Sequence, residues 1–256
     1  MAPFNTHFLL AESLWPELQH GRWQVHYGQF CFGCVAPDVD KVSAVLSQRD
    51  THFFDRTGDY EAMASRRTAA FLAWQDSFLG RPFHQLSGEG QAFVLGYLCH
   101  LCLDEVSKHM WRRDTWLQFQ HVRPTSAFAA LDELAWHHTQ NYAAVAGALC
   151  AIEVLDIIPP IPLADLQGMH RGVCTFVRSK SAEEEYLALE DLFRNPTPEQ
   201  RCEYRRCFRG EIDLARAQVH LFQLENLIEA GLAWSRQRLA ALIEGRVLDP
   251  AYPELK

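Results

Sequence analysis

His100 and Asp104 lie four residues apart in GYLCHLCLDEV, residues 96–106, a segment of strongly helical pattern. At 3.6 residues per turn, that spacing sends both side chains off one helix face, one turn apart. Gly96, one turn earlier on the same stripe, predicts open space beside the pair. An imidazole and a carboxylate on one helix face, completed by donors from other segments, is how a helical protein builds a metal site. Three such donors come before the pair: His7 near the start, Asp38 after Pro37, and His52 fourteen residues further on. Nitrogen and oxygen donors in this mixture suit zinc and, on ligand type alone, also manganese or iron. The chemistry that such a centre performs is metal-assisted hydrolysis.

Each residue alone also has a plainer reading. His7 could be an ordinary first-turn histidine, and His52 a loop histidine packed by its neighbouring phenylalanines. Asp38 could steady a turn after Pro37, and His100 with Asp104 could be a hydrogen-bonded structural pair. Their joint order is what favours a metal centre. His26, His84, His170 and His220 have no spacing partner and read as surface or core residues.

The elements that must position these side chains are helical throughout, and no alternating strand pattern of useful length occurs. Thr6 reads as the cap of a first helix running to about His20. A second helix, from about Arg22, is expected to stop at Ala36, because Pro37 disfavours helical geometry before it. Residues 38–57 then read as a long loop carrying His52. DYEAMASRRTAAFLAWQDSFL forms a third helix, and Ser87 opens the fourth, which bears His100 and Asp104. Residues 126–155 read as one long alanine-rich helix ending before IIPPIPL. Further helices follow, including one from Thr197, where TPEQ offers a threonine cap, a first-turn proline and a returning glutamine. The predicted fold is an all-α, multi-helix bundle. It is read as a single domain over residues 1–256, with a metal-binding core at 1–157 and a C-terminal helical part at 158–256.

Composition narrows the function classes. With 48% hydrophobic and 22% charged residues, the chain of 256 residues reads as an ordinary globular protein able to bury a core. No apolar run approaches the ~20 residues of a membrane span. The start, MAPFNTHFLLAESLWPEL, lacks a basic leader region, so a cytoplasmic location is expected. A net charge of −8 without a basic, aromatic-interleaved stripe disfavours nucleic acid as a main partner. Two CxxC pairs, Cys31 with Cys34 and Cys99 with Cys102, would suggest a four-cysteine zinc site. They sit in apolar helical segments, where core packing of free cysteine is the expected role.

THFLLAE, GCVAPDVD, THFFD and AFVLGYLCHLCLDEV, in this order, resemble the successive blocks of the bacterial zinc-dependent phospholipase C family, itself distantly related to the S1/P1-type nucleases. The resemblance covers residues 6–106 in blocks and fades afterwards. It implies an all-helical fold and ligands at His7, Asp38, His52, His100 and Asp104. Asp104 would be the bridging carboxylate, and Asp38 the base or water-orienting group. The chain departs from the family pattern in two places. Secreted members use the free amine of a processed N-terminal tryptophan, whereas this chain begins MAPFNT. They also place further histidines after the HxxxD block, where this chain has Met110. His109 falls on the far side of an unbroken helix from His100. His121, His137, His138, Asp132 and Glu133 are the remaining candidates, with Glu133 and His137 on one face. One or two zinc ions are therefore expected, and three at most.

The expected function is zinc-dependent hydrolysis of a phosphodiester, with a phospholipid headgroup or another phosphodiester small molecule as the partner. Alternatives are a non-catalytic helical protein that binds metal or a lipid headgroup, a nuclease-like phosphodiesterase, and a helical interaction protein with structural His and Asp residues. Trp15, Trp111 and Trp116 could line a cationic headgroup pocket, although core packing is the commoner role for such aromatics.

Overall fold

A computed structural model describes residues 4–18, 23–53, 67–113 and 124–246. The fold is all-α, and no strand occurs among the described residues. The helices are α1 (Phe4–Leu18), α2 (Tyr27–Gly33), the single turn α3 (Gln48–Thr51), α4 (Arg67–Leu79) and α5 (Gly88–Arg113). After them come α6 (Pro124–His138), α7 (Tyr142–Cys150), α8 (Leu163–Phe176), α9 (Ala182–Arg194), α10 (Pro198–Gln218) and α11 (Leu221–Glu244). The 3-10 turns Ala36–Lys41 and Phe83–Gln85 also lie between them. No helix among the described residues is long and apolar enough to cross a membrane.

The central element is α5. Ser87 caps it, its hydroxyl accepting from the Gly90 amide at 3.2 Å. From Ala92 to Val106 every residue is buried, the pattern of a helix enclosed on all sides. α2 and α11 pack along it most extensively, and α4 and α1 complete the enclosure. α11 thus returns from beyond the IIPPIPL segment to lie on the helix that bears His100 and Asp104.

α2 meets α5 glycine to glycine. A Cβ on Gly96 would lie 2.0 Å from the Phe30 carbonyl oxygen, and one on Gly33 would lie 2.1 Å from that of Phe93. The expected open space beside the His100–Asp104 stripe is therefore absent. Gly96 is there because another backbone occupies the position of its missing side chain. α2 is also shorter than expected, running Tyr27–Gly33 rather than 22–36. Pro37 takes the start of the following 3-10 turn, so Asp38 sits inside that turn instead of just past a helix end.

Three other boundaries differ from the sequence reading. Thr6 lies within α1, and its backbone N–H donates to Asp132 Oδ1 at 3.0 Å, so it is not the helix cap. The expected continuous helix over 126–155 is broken between α6 and α7. The Glu12 carboxylate accepts the amides of Gln140 and Asn141 at 2.7 and 2.6 Å, and the Asn141 side chain caps α7 through the Ala144 amide at 3.3 Å. The expected 38–57 loop contains the 3-10 turn and α3, and its last part lies outside the described residues, as do residues 59–66 of the expected third helix. The capping box at Thr197 and Gln200 forms as its sequence implies.

Candidate metal centre

The five expected ligands converge, although four separate elements carry them. His7 comes from the first turn of α1, Asp38 from the 3-10 turn, His52 from the residue closing α3, and His100 with Asp104 from α5. All five are 0% exposed. The His7 ring stacks on that of His100 with centroids 4.1 Å apart. His52 Nε2 lies 3.2 Å from His100 Nε2, 3.5 Å from Asp38 Oδ1 and 3.7 Å from Asp104 Oδ2. The donors form two overlapping triads that share His100: His7, His100 and Asp104, and Asp38, His52 and His100. Within each triad the donor atoms lie within 4.8 Å of one another.

Protonation states follow from burial. Desolvation lowers all three histidines, His100 to about 4, so their ring lone pairs are available at neutral pH. Burial alone would raise the two carboxyls. The Lys41 ammonium and then the hydrogen bond with His52 outweigh it at Asp38, as the Arg67 guanidinium among others does at Asp104, and both stay well below the usual carboxylate range. His100 Nδ1 is 2.8 Å from the Cys34 carbonyl oxygen, which can only accept. That contact makes Nδ1 the donor and turns the Nε2 lone pair toward His52.

A cation fits this set. Both ring nitrogens of His7 and Oδ2 of Asp38 are buried with no hydrogen-bond partner, although such groups are costly to leave unpaired. Three imidazoles and two carboxylates are a donor set for a divalent metal of zinc type.

Surrounding contacts hold His52 and the α5 segment that bears Asp104 in place. The Thr51 hydroxyl is 2.8 Å from His52 Nδ1, and Tyr97 donates to the Thr51 carbonyl at 2.6 Å. Phe53 adopts φ +56°, a strained conformation for a side chain of its size, and packs edge-on against Phe71 and Phe78 at 5.1 and 4.6 Å. Glu105, beside Asp104, accepts from the Thr68 amide, the Thr68 hydroxyl and Trp234 Nε1 at 2.8, 2.8 and 2.7 Å. It thereby ties α4 and α11 to α5.

Sequence reasoning missed two cations at the centre. Arg67, fully buried on α4, pairs with Asp104, and Lys41 pairs with Asp38. Lys41 could have been found from its i,i+3 spacing to Asp38, whereas Arg67 stands alone in sequence. Asp40, near His52 Nδ1 at 3.9 Å, is pushed up to about 6 by burial.

The other candidates lie elsewhere. Asp132 holds the Thr6 amide. Glu133 pairs with Arg216 at 2.7 Å, His137 stacks on Trp136, and His138 is exposed. The side chains of His109 and Trp111, and all of Trp116 and His121, lie outside the described residues. Trp15 is in the core against Tyr27 and Phe30, which rules it out as a headgroup contact. His170 is half-buried against the Leu149 carbonyl, His26 lies near Glu89, and His84 and His220 are exposed. Cys31, Cys34, Cys99 and Cys102 are free and packed in the α2–α5 core, and no cysteine belongs to either triad.

The profile of a family described as zinc dependent phospholipase C matches residues 6–146, more than half of the chain. The chain belongs to that family. The match takes in all five converging residues and runs from α1 into α7, whereas α8 to α11 lie beyond it. Neither the curated proteins nor the solved structures gave a significant match. Family membership and the two triads together support a phospholipase C-like hydrolase with a zinc centre.

Proposed function

We propose that this chain is a zinc-dependent phosphodiester hydrolase, with one or two zinc ions held by His7, Asp38, His52, His100 and Asp104. The observation that carries the proposal is their convergence into one buried cluster that leaves both His7 nitrogens and one Asp38 oxygen without partners. When bound, zinc supplies Lewis acidity that brings the pKa of water toward neutrality and balances charge developing on the phosphoryl oxygens. The three neutral imidazoles provide lone pairs for the metal. The Cys34 carbonyl and Thr51 hydroxyl orient two of them. Asp38, kept ionised by Lys41, has the charge needed to orient the attacking water and accept its proton. Lys41 and Arg67 add fixed positive charge where an anionic phosphodiester must approach.

The test is chelator-sensitive turnover of bis-p-nitrophenyl phosphate and of phospholipids. Asp38→Asn keeps the size and one acceptor but loses the charge. It should leave a folded protein that retains metal and hydrolyses roughly 100-fold slower or worse. The specific pairing of both carboxylates with Lys41 and Arg67 favours one other reading, a member that binds metal or a lipid headgroup without turnover. A wild-type protein fully loaded with zinc but inactive on every phosphodiester would establish that reading instead.

A further inference from the structure

A cavity of about 450 Å³ opens between α6, α8 and α9, one side chain away from the metal centre. This size falls within the ~300–1,000 Å³ of small-molecule sites. Phe128, Phe176, Tyr186, Leu189 and Phe193 form its walls. Phe4, from the first turn of α1, packs edge-on against Phe176 and Phe193 at 5.4 and 5.7 Å.

Two residues are shared between the cavity and the centre. Lys41 lines the cavity, with Nζ 5.3 Å from the Phe193 ring centroid, and the same ammonium pairs with Asp38. Asp132 lines the cavity and holds the amide of Thr6, the residue before His7. A molecule anchored at the centre could therefore extend past Lys41 into an aromatic-walled space.

The polar groups lining that space are already occupied within the protein. Glu185 accepts from Asn5 Nδ2 at 3.1 Å through both oxygens. Burial pushes both carboxyls up, aided by the Glu185 charge at Asp132 and by the Glu133 charge at Glu185. Glu190 is paired with Arg194 at 2.8 Å. With its acids hydrogen-bonded or paired within the protein, the space favours an apolar occupant over a cationic one.

We propose that this cavity is a subsite for the hydrocarbon chain of a single lipid-like phosphoester whose phosphate sits at the metal centre. The proposal rests on the phosphodiesterase reading for its anchor. The test measures binding, without turnover, of methyl, butyl and octyl phosphate to the zinc-loaded full chain, below micellar concentrations. Affinity should rise by up to about fourfold per added methylene, the gain expected when each leaves water. Ala129→Phe, which fills the cavity from its α6 wall, should abolish that rise while leaving zinc content and methyl phosphate binding unchanged. In the wild type, the methyl resonances of Ala129 and Leu189 should shift with octyl but not methyl phosphate, a readout that does not depend on the variant folding. Equal affinities across the series, or a chain-length effect that leaves these resonances unmoved, would overturn the proposal. Chain-length-dependent binding without chelator-sensitive turnover would keep the subsite and sink the hydrolase reading. Turnover with no chain-length dependence would do the reverse.

Discussion

Replacing Gly96 with alanine tests whether the close approach of α2 to α5 builds the metal centre. The added Cβ would sit 2.0 Å from the Phe30 carbonyl oxygen and 2.9 Å from the Cys34 amide nitrogen. Neither neighbour is a flexible side chain, so the two helices must separate by about 1 Å to restore a normal contact. Overpacking of this kind costs about 1–3 kcal/mol, and with backbone on both sides the upper end is expected. In a protein of this size that corresponds to a Tm lower by roughly 6–12 °C. The same displacement stretches the 2.8 Å bond from His100 Nδ1 to the Cys34 carbonyl beyond hydrogen-bonding range. Loss of such an orienting contact costs about 10–100-fold in metal affinity. Gly210→Ala is the control, because nothing lies within 4 Å of its Cβ position. It should stabilise by about 0.5–1 kcal/mol. Thermal denaturation and zinc titration of both variants give the answer. A Gly96→Ala protein with an unchanged Tm, or with a lowered Tm and full zinc affinity, would refute the link between the glycine contact and the site.

His100→Ala and Asp104→Ala should each release at least one zinc equivalent and lower the Tm, because a metal bound only by the folded state stabilises it; unchanged metal content by elemental analysis would remove the ligand assignment. Replacing Cys31 with Ala and Cys34 with Val together should leave zinc stoichiometry intact at a packing cost of about 1–2 kcal/mol, and loss of a zinc would show the cysteines to be ligands after all. The Glu185 carboxyl, raised by burial from 4.5 to about 7, binds a proton in the folded state that the unfolded chain has released. Its contribution to stability is therefore full below about pH 4.5 and is lost as pH rises through about 7, by roughly 3 kcal/mol in all. Glu185→Gln should flatten this part of the Tm–pH profile, and a variant whose slope matches the wild type would contradict the assignment.

The parts of the molecule legible from sequence are those set by local rules. The four-residue spacing of His100 and Asp104, the capping box at Thr197 and the all-helical pattern all depend on residues near one another in the chain. Asp38 and His52 were reached through the order of their motifs, and the fold does bring both to the His100 side chain. The misreadings share a different cause. The break between α6 and α7 is made by Glu12, far away in sequence, which captures amides that a continuous helix would have used. Asp132 likewise takes the Thr6 amide from another helix. Gly96 was read as space because a glycine beside a ligand pair looks the same whether a substrate or a backbone fills the gap. Arg67 reaches Asp104 only after α4 has docked on α5, and nothing in its own neighbourhood signals that.

The strained turn at Phe53 has a consequence for how the site is assembled. Its ring lies among Phe71, Phe78 and Tyr97, so the backbone twist that presents His52 is held by hydrophobic packing and not by the ligands themselves. Docking α4 completes this aromatic nest and in the same event delivers Arg67 to Asp104. The packing that forms the core thus also brings the candidate donors together. A zinc ion entering the proposed site would meet donors already in position. Its binding would then carry the small heat-capacity change of filling a finished pocket, unlike the large negative change that accompanies folding around an ion.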